Sequence, residues 1–348
     1  MTHKHRWGSA RLYVALAVGW AVLSVAIAAW DWQGRWHAEG ASAGYAFKLW
    51  LYWAQFSALP LLLAGALVSF QSRAGFSRRA FAGLLALGSA LVIWSGVVEP
   101  NWLRVRNTTL EIKVASGPQP IKIAVISDLH WGLFVRDWQV RRVVDRLRAL
   151  DADVLLVAGD WTYDPPLDLA AGLAPFGELN IPVYTVLGNH DLEKPGPKLA
   201  GPLRATLSAL KIHAIEGQAV NIKGWQLVGL DDLWGGKPRA QIDRLLGQPH
   251  FARIVLTHQP DTLAMVPAGS LQLGVAGHTH GGQIQLPMLT RWVVRMTQRA
   301  PWIDGLYQTP VGNVFVTPGL GMIGLPWRFR VPSTIDLIVL QPAPRPVR

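Results

Sequence analysis

Three stretches in the first hundred residues carry no charged side chain: 12–30 (LYVALAVGWAVLSVAIAAW), 51–70 (LYWAQFSALPLLLAGALVSF) and 80–98 (AFAGLLALGSALVIWSGVV). At about 1.5 Å of rise per residue, a helix of that length reaches across roughly the 30 Å of a bilayer core. Trp30, Trp50, Trp53 and Trp102 stand near the ends, where amphipathic rings favour the water–lipid interface. Gln55, Pro60 and several glycines weaken the runs, but a helix bundle tolerates them. The expectation is three transmembrane helices rather than buried helices of a soluble fold. Ala41-Ser42-Ala43 resembles a signal-cleavage triplet, but it lies too far beyond the first run to serve as one.

Basic residues set the expected orientation. The N-terminal tail has Lys4, Arg6 and Arg11, and segment 71–79 has Arg73, Arg78 and Arg79 with no acid, whereas Arg35 and Lys48 in 31–50 are balanced by Asp31 and Glu39. The positive-inside rule then puts the N-terminus in the cytoplasm of a multi-pass protein of a bacterial inner membrane, with everything after residue 98 on the periplasmic side. Arg104 and Arg106, just past the third run, argue mildly against this.

With 348 residues the chain has room for a catalytic domain besides a membrane module. It has no cysteine, which excludes disulfides, thiolate zinc sites and cysteine nucleophiles. The net charge of +11 suits nucleic acid, an anionic membrane or a phosphorylated substrate equally.

The composition changes from about residue 107, giving an expected division into a membrane domain 1–106, a catalytic domain 107–340 and a flexible Pro- and Arg-rich tail 341–348. Residues 109–114 alternate like a half-buried strand, and Ile121–Ile126 is an apolar run. Residues 137–150 have helical periodicity, 152–158 and 183–187 read as further strands, and 166–177 as a short helix. The order β–α–β–α–β with polar residues after each strand describes an α/β fold whose ligands gather at the strands' carboxyl edge. Apolar segments at 225–231, 252–257, 271–276, 312–317 and 334–340 extend it into a layered sandwich.

Five clusters place metal-binding side chains just after apolar runs: Asp128-Leu129-His130, Gly159-Asp160, Gly188-Asn189-His190-Asp191, Thr257-His258 and Gly277-His278-Thr279-His280-Gly281-Gly282. Nitrogen and oxygen donors without thiolate suit Mn²⁺, iron, Zn²⁺ or Co²⁺. Any one cluster is a common turn or cap; the ordered set resembles the calcineurin-like metallophosphoesterases over roughly residues 120–340. Gly229-Leu230-Asp231-Asp232, Gln283 after the histidine motif, and Gly319-Leu320-Gly321 with Leu325-Pro326 and Arg328-Phe329 resemble a membrane-associated bacterial branch. Val331-Pro332-Ser333 departs from it where relatives often carry an acid.

The resemblance implies a four-layer metallophosphoesterase β-sandwich flanked by helices. It implies two divalent or mixed-valence transition-metal ions (Mn, Fe or Zn, with Mn favoured). Asp128, His130 and His280 would hold one ion, Asn189, His258 and His278 the other, and Asp160 would bridge both. His190 would be catalytic, contacting a phosphoryl oxygen or protonating the leaving group, with Asp191 orienting its ring. His213 and His250 fit no cluster. The implied reaction is hydrolysis of a phosphoester or pyrophosphate by a hydroxide that two metals activate.

Trp131-Gly132-Leu133-Phe134 and residues 286–302 are more apolar than this chemistry needs. In the latter, Arg291, Arg295 and Arg299 fall four apart among Trp292, Val293, Val294, Met296 and Trp302. Such a segment suits a phospholipid surface or a lid over the site. A lipid-linked substrate at the membrane is therefore the favoured reading. Soluble phosphomonoesters or phosphodiesters, with the membrane as anchor only, are the first alternative, and a non-enzymatic scaffold or sensor is the second. A nucleic-acid substrate is disfavoured because the basic residues form no stripe with interleaved aromatics. Protein partners are not legible.

Overall fold

The computed structural model describes residues 22–31, 43–57, 75–114, 117–166, 168–192, 199–247 and 252–344, with a few isolated positions before residue 66. The chain divides into two compact units, Met1–Pro100 with Gly324–Arg328, and Asn101–Ile323 with Phe329–Arg348.

In the first unit the three expected spans are corrected. Among the described residues one helix, Phe76–Asn101, is long and apolar enough to cross a membrane. Run 51–70 begins inside a 12-residue helix, Ala43–Ala54, which gives way to a 3-10 turn at Gln55–Ser57. Absence of charge measures composition, whereas a span needs one uninterrupted helix of about twenty residues, and that turn interrupts the run near its start. Residues 58–64 and 66–70 of this run, and six of the nineteen residues of run 12–30, lie outside the described residues. The multi-pass topology, and with it the periplasmic placement of the catalytic domain, rested on three spans and falls with them. Within the same unit Trp327 donates to Gln55 Oε1 at 3.2 Å, and the Arg328 N–H to the Ser95 carbonyl at 2.7 Å.

The second unit is built on strands, in chain order β1 (Arg104–Val114), β2 (Ile121–Ile126), β3 (Trp131–Gly132), β4 (Val154–Val157), β5 (Thr162–Tyr163), β6 (Val183–Thr185), β7 (Ile212–Ala214), β8 (Ala219–Ile222), β9 (Trp225–Gly229), β10 (Arg253–Leu256), β11 (Leu273–Ala276), β12 (Gly305–Thr309), β13 (Gly312–Val316) and β14 (Thr334–Pro344). Two six-stranded sheets have the orders β1-β14-β2-β4-β6-β7 and β12-β13-β11-β10-β9-β8. The centres of both are parallel, β2-β4-β6-β7 in one and β13-β11-β10-β9 in the other.

The apolar runs follow from burial on both faces. Along β2, Ile121, Ile123 and Val125 enter a core that also holds Leu227, Ile254, Leu273 and Phe315 of the second sheet. Ala124 and Ile126 point the other way, onto Val140, Val144 and Leu147 of helix Asp137–Arg148. In the second sheet, Val255, Ala276 and Val314 meet Ile242 and Leu246 of helix Pro238–Leu246. Helices, sheet, sheet and helices thus make four layers, the α/β sandwich the sequence pointed to. β14 continues to Pro344, so it takes in the first half of the expected tail. It can hold Pro342 and Pro344 because β2 leaves it at Leu340 and only edge strand β1 remains as a partner.

Candidate metal centre

Every one of the five clusters follows a parallel strand: β2, β4 and β6 in the first sheet, β10 and β11 in the second. Parallel strands end at one edge, so the loops converge there. The backbone is strained where it turns: Asp128, His130, Asp160, His278 and His280 all have φ between 49° and 68°. Such left-handed conformations cost non-glycine residues about 1–3 kcal/mol each and persist only where surrounding packing enforces them. At Gly188 a Cβ would collide with the Asp160 carboxylate, and at Gly277 with Ser127 Oγ and Asp128 Oδ2. Glycine at these positions lets two loops close on the carboxylates.

The side chains fall into two groups sharing one carboxylate. In the first, His130 Nε2 lies 3.1 Å from His280 Nε2, and Asp128 Oδ1 lies 3.8 Å from the former and 3.5 Å from the latter. In the second, His258 Nε2 lies 3.0 Å from Asn189 Oδ1 and 3.1 Å from His278 Nδ1, which is itself 3.1 Å from Asn189 Oδ1. Asp160 Oδ2 stands between them, 3.6 Å from His130 Nε2 and 3.3 Å from His258 Nε2. Asp128, His130 and His280, and likewise Asp128, Asp160 and His258, hold their donor atoms within 4.8 Å of one another.

The donor chemistry fits metal ions. His130 Nδ1 is assigned as donor to the Thr162 carbonyl at 3.3 Å, and His258 Nδ1 to the Ala158 carbonyl at 2.7 Å. His130 Nε2 then turns a lone pair inward, towards other acceptors, and His258 Nε2 would do so once it gives up its proton. Asp128 Oδ1 is buried with no hydrogen-bond partner among the described residues. Converging lone pairs and carboxylates repel unless a cation lies among them.

The electrostatics agree. Burial lowers His130 and His278 to about 3, so both are neutral donors. Burial also opposes charge on His258, but Asp160, Asp128 and Asp232 outweigh it and raise His258 to about 10. It carries a proton that a metal ion would displace. Burial raises Asp160 too, yet the His258 and His130 imidazoles hold it well below the usual carboxylate range. Asp128 is pushed up to about 6, first by burial and then by Asp160.

His190 is half-buried at the edge of the centre. Its N–H donates to Asp160 Oδ1 at 2.9 Å, and its ring meets those of Tyr163 and His130 edge-on, 5.1 and 5.2 Å between centroids. Asp191 lies fully buried behind it. Its carboxylate gathers the N–H groups of Gly188, Trp161 and Thr162 at 3.1–3.2 Å, tying the Asn189 loop to the Asp160 loop. Burial, then the Asp160 charge, raises Asp191 to about 7 against those N–H groups. His213 lies exposed on β7 beside Tyr184, outside the centre, and His250 is outside the described residues.

Three features escaped the sequence reading. Ser127 donates to Asp128 Oδ2. Gly321 N–H donates to the Asp128 carbonyl at 2.6 Å and Leu320 N–H to the Ser127 carbonyl at 3.1 Å, so Gly319-Leu320-Gly321, seen only as a branch signature, clamps the first ligand loop. Asp232 accepts from the Trp234 and Gly235 N–H groups at 2.8 and 2.7 Å. That hold places the exposed Trp234 ring edge-on to His278, 5.0 Å between centroids. Residue spacing gave no signal for Trp234.

A double α/β sandwich closing on two Asp/His donor sets defines a dinuclear metal-dependent hydrolase. Residues 121–282 match the family model of calcineurin-like phosphoesterases. The chain is similar to an uncharacterized metallophosphoesterase of Helicobacter pylori, 26% identical over 76% of this chain and 72% of that one. It is also similar to the uncharacterized metallophosphoesterase YkuE of Bacillus subtilis, 28% identical over 78% of this chain and 98% of that one. With the phosphodiesterase YaeI of Escherichia coli it shares 26% identity over 71% of this chain and 93% of the relative.

Proposed function

We propose that the chain hydrolyses a phosphodiester or pyrophosphate bond of a lipid-linked substrate at a membrane surface. The observation that carries the hydrolytic part is the pair of donor sets joined at Asp160, with His190 at their edge. Asp128, His130 and His280 would hold one ion and Asn189, His258 and His278 the other, with Asp160 shared. Four imidazoles, two carboxylates and an amide suit Mn²⁺, Fe²⁺ or Zn²⁺, and Mn²⁺ is the first ion to supply. When bound, two such ions activate water and neutralise charge on the phosphoryl oxygens.

The chain's own groups do the rest. The Asp160 carboxylate anchors the His190 backbone, and the rings of His130 and Tyr163 fix the His190 imidazole where it can protonate a leaving alkoxide. Asp191 is a positioning residue, holding the two loops in register. Diester chemistry is carried over from the E. coli relative, a phosphodiesterase. The lipid part is supported by the apolar helix Phe76–Asn101 and by Trp234, an exposed aromatic at the rim of the centre.

The test is headgroup and phosphate release by full-length protein in mixed micelles with Mn²⁺. The substrates are a membrane lipid extract, undecaprenyl diphosphate and a soluble diester, run beside Asn189→Ala and His190→Ala. Lipid turnover lost in both variants is the expected result. Turnover of the soluble diester alone removes the lipid substrate, and variants as active as the parent sink the site.

A further inference from the structure

Helix Pro287–Thr297 commits little of itself to the domain that carries it. Val294 is buried and Thr290 half-buried, one turn apart on the inner side. Met288, Trp292 and Met296, four apart and so on one ridge, are 89%, 60% and 70% exposed, with Leu289 and Val293 exposed beside them. Arg291 and Arg295 border that ridge on its other side, exposed, and no ion pair joins either among the described residues. A soluble helix buries its apolar stripe; here it faces outward and is edged with positive charge.

The helix is also strung between the loops of the metal centre. At its start, Thr290 Oγ1 donates to the Ile284 carbonyl at 3.2 Å and accepts from Leu286 N–H at 2.9 Å, and Gln285 Nε2 donates to the Gly281 carbonyl at 2.9 Å, one residue beyond His280. Beyond its end, Arg299 and Ala300 N–H groups donate to Asp261, three residues past His258, at 3.2 and 2.7 Å. Thr279, between His278 and His280, donates to the Ile303 carbonyl at 2.6 Å. Whatever holds this helix holds the metal loops.

We propose that helix Pro287–Thr297 docks in the plane of an anionic phospholipid surface, with Met288, Trp292 and Met296 immersed and Arg291 and Arg295 on lipid phosphates, and so presents the metal centre to headgroups. An exposed apolar arc with a tryptophan and a basic border is the pattern of an interfacial helix, and each arginine near an anionic surface strengthens attachment about fivefold. The inference deepens the lipid reading of the proposed function, but docking and turnover are measured separately.

The chain has no cysteine, so Met288→Cys, Trp292→Cys and Met296→Cys each give one attachment point for an environment-sensitive fluorophore. Arg141→Cys, on helix Asp137–Arg148, is the control. Full-length protein is mixed with vesicles of phosphatidylcholine alone or with phosphatidylglycerol, some lipids bearing nitroxide on the acyl chain. The three helix labels should shift to the blue, be quenched by the nitroxide and be shielded from iodide, more strongly with phosphatidylglycerol, while the control stays open to iodide. Arg291→Glu with Arg295→Glu should remove the phosphatidylglycerol dependence. Labels that stay open to iodide on vesicles overturn the proposal. So do labels that respond without lipid, either to Mn²⁺ and inorganic phosphate (a lid) or to protein concentration (a second copy). Docking without lipid turnover leaves this inference standing and removes only the lipid substrate.

Discussion

At the residue scale, His190 separates chemistry from assembly. It touches the centre without belonging to either donor set, so His190→Ala should lower kcat about 10²- to 10⁴-fold while the protein still takes up two metal ions by elemental analysis. Loss of metal together with activity would make His190 a structural residue. His258 makes a pH prediction. Its pKa is raised to about 10, so below that pH metal must displace a proton. Mn²⁺ affinity should therefore climb about tenfold per pH unit between roughly pH 7 and 9, then level off above about 10. Calorimetry in buffers of differing ionisation enthalpy should count the proton released, and His258→Gln should abolish it. That Asp, Asn and His side chains converge here was legible because they stand immediately after apolar runs, whereas their division between two ions rests on the family resemblance. Their left-handed backbone was not, because strain at Asp128 or His280 is imposed by loops far away in sequence.

At the element scale, β2, β4 and β10 were readable because both faces are buried, which leaves a continuous apolar run in the chain. The clamp by Gly319-Leu320-Gly321 was not, since it depends on backbone from the C-terminal region meeting the loop after β2. It can be tested directly. Gly319 has φ near 70°, and a Cβ there would sit 2.7 Å from the Asp128 Cβ. Gly319→Ala should cost about 1–3 kcal/mol, seen as a lower Tm, and weaken Mn²⁺ binding through Asp128. An unchanged Tm with unchanged metal affinity would show that the clamp carries no strain. The second apolar run misled for the opposite reason. Nothing in its composition announces the 3-10 turn at Gln55–Ser57.

At the scale of the whole molecule, two sheets with parallel centres bring five loops to one edge, and each sheet supplies part of each donor set. Asp128, His130 and Asp160 come from the first and His280 and His258 from the second, so the centre exists only when the sandwich is closed. Metal should accordingly stabilise the fold as a unit. Saturating Mn²⁺ at about 100 times its Kd should add roughly 2.7 kcal/mol per independent site, raising Tm in one cooperative step. Two separate thermal steps within the catalytic unit, only one of them sensitive to metal, would contradict that.

In the proposed centre two metal ions share Asp160. The direct measurement is elemental analysis with electron paramagnetic resonance of Mn²⁺-loaded full-length protein, beside Asp160→Asn. Two manganese ions per chain with an exchange-coupled signal, giving way in the variant to an uncoupled six-line spectrum and lost turnover, is the predicted result. One ion per chain, or two uncoupled ions unaffected by Asp160→Asn, would contradict it.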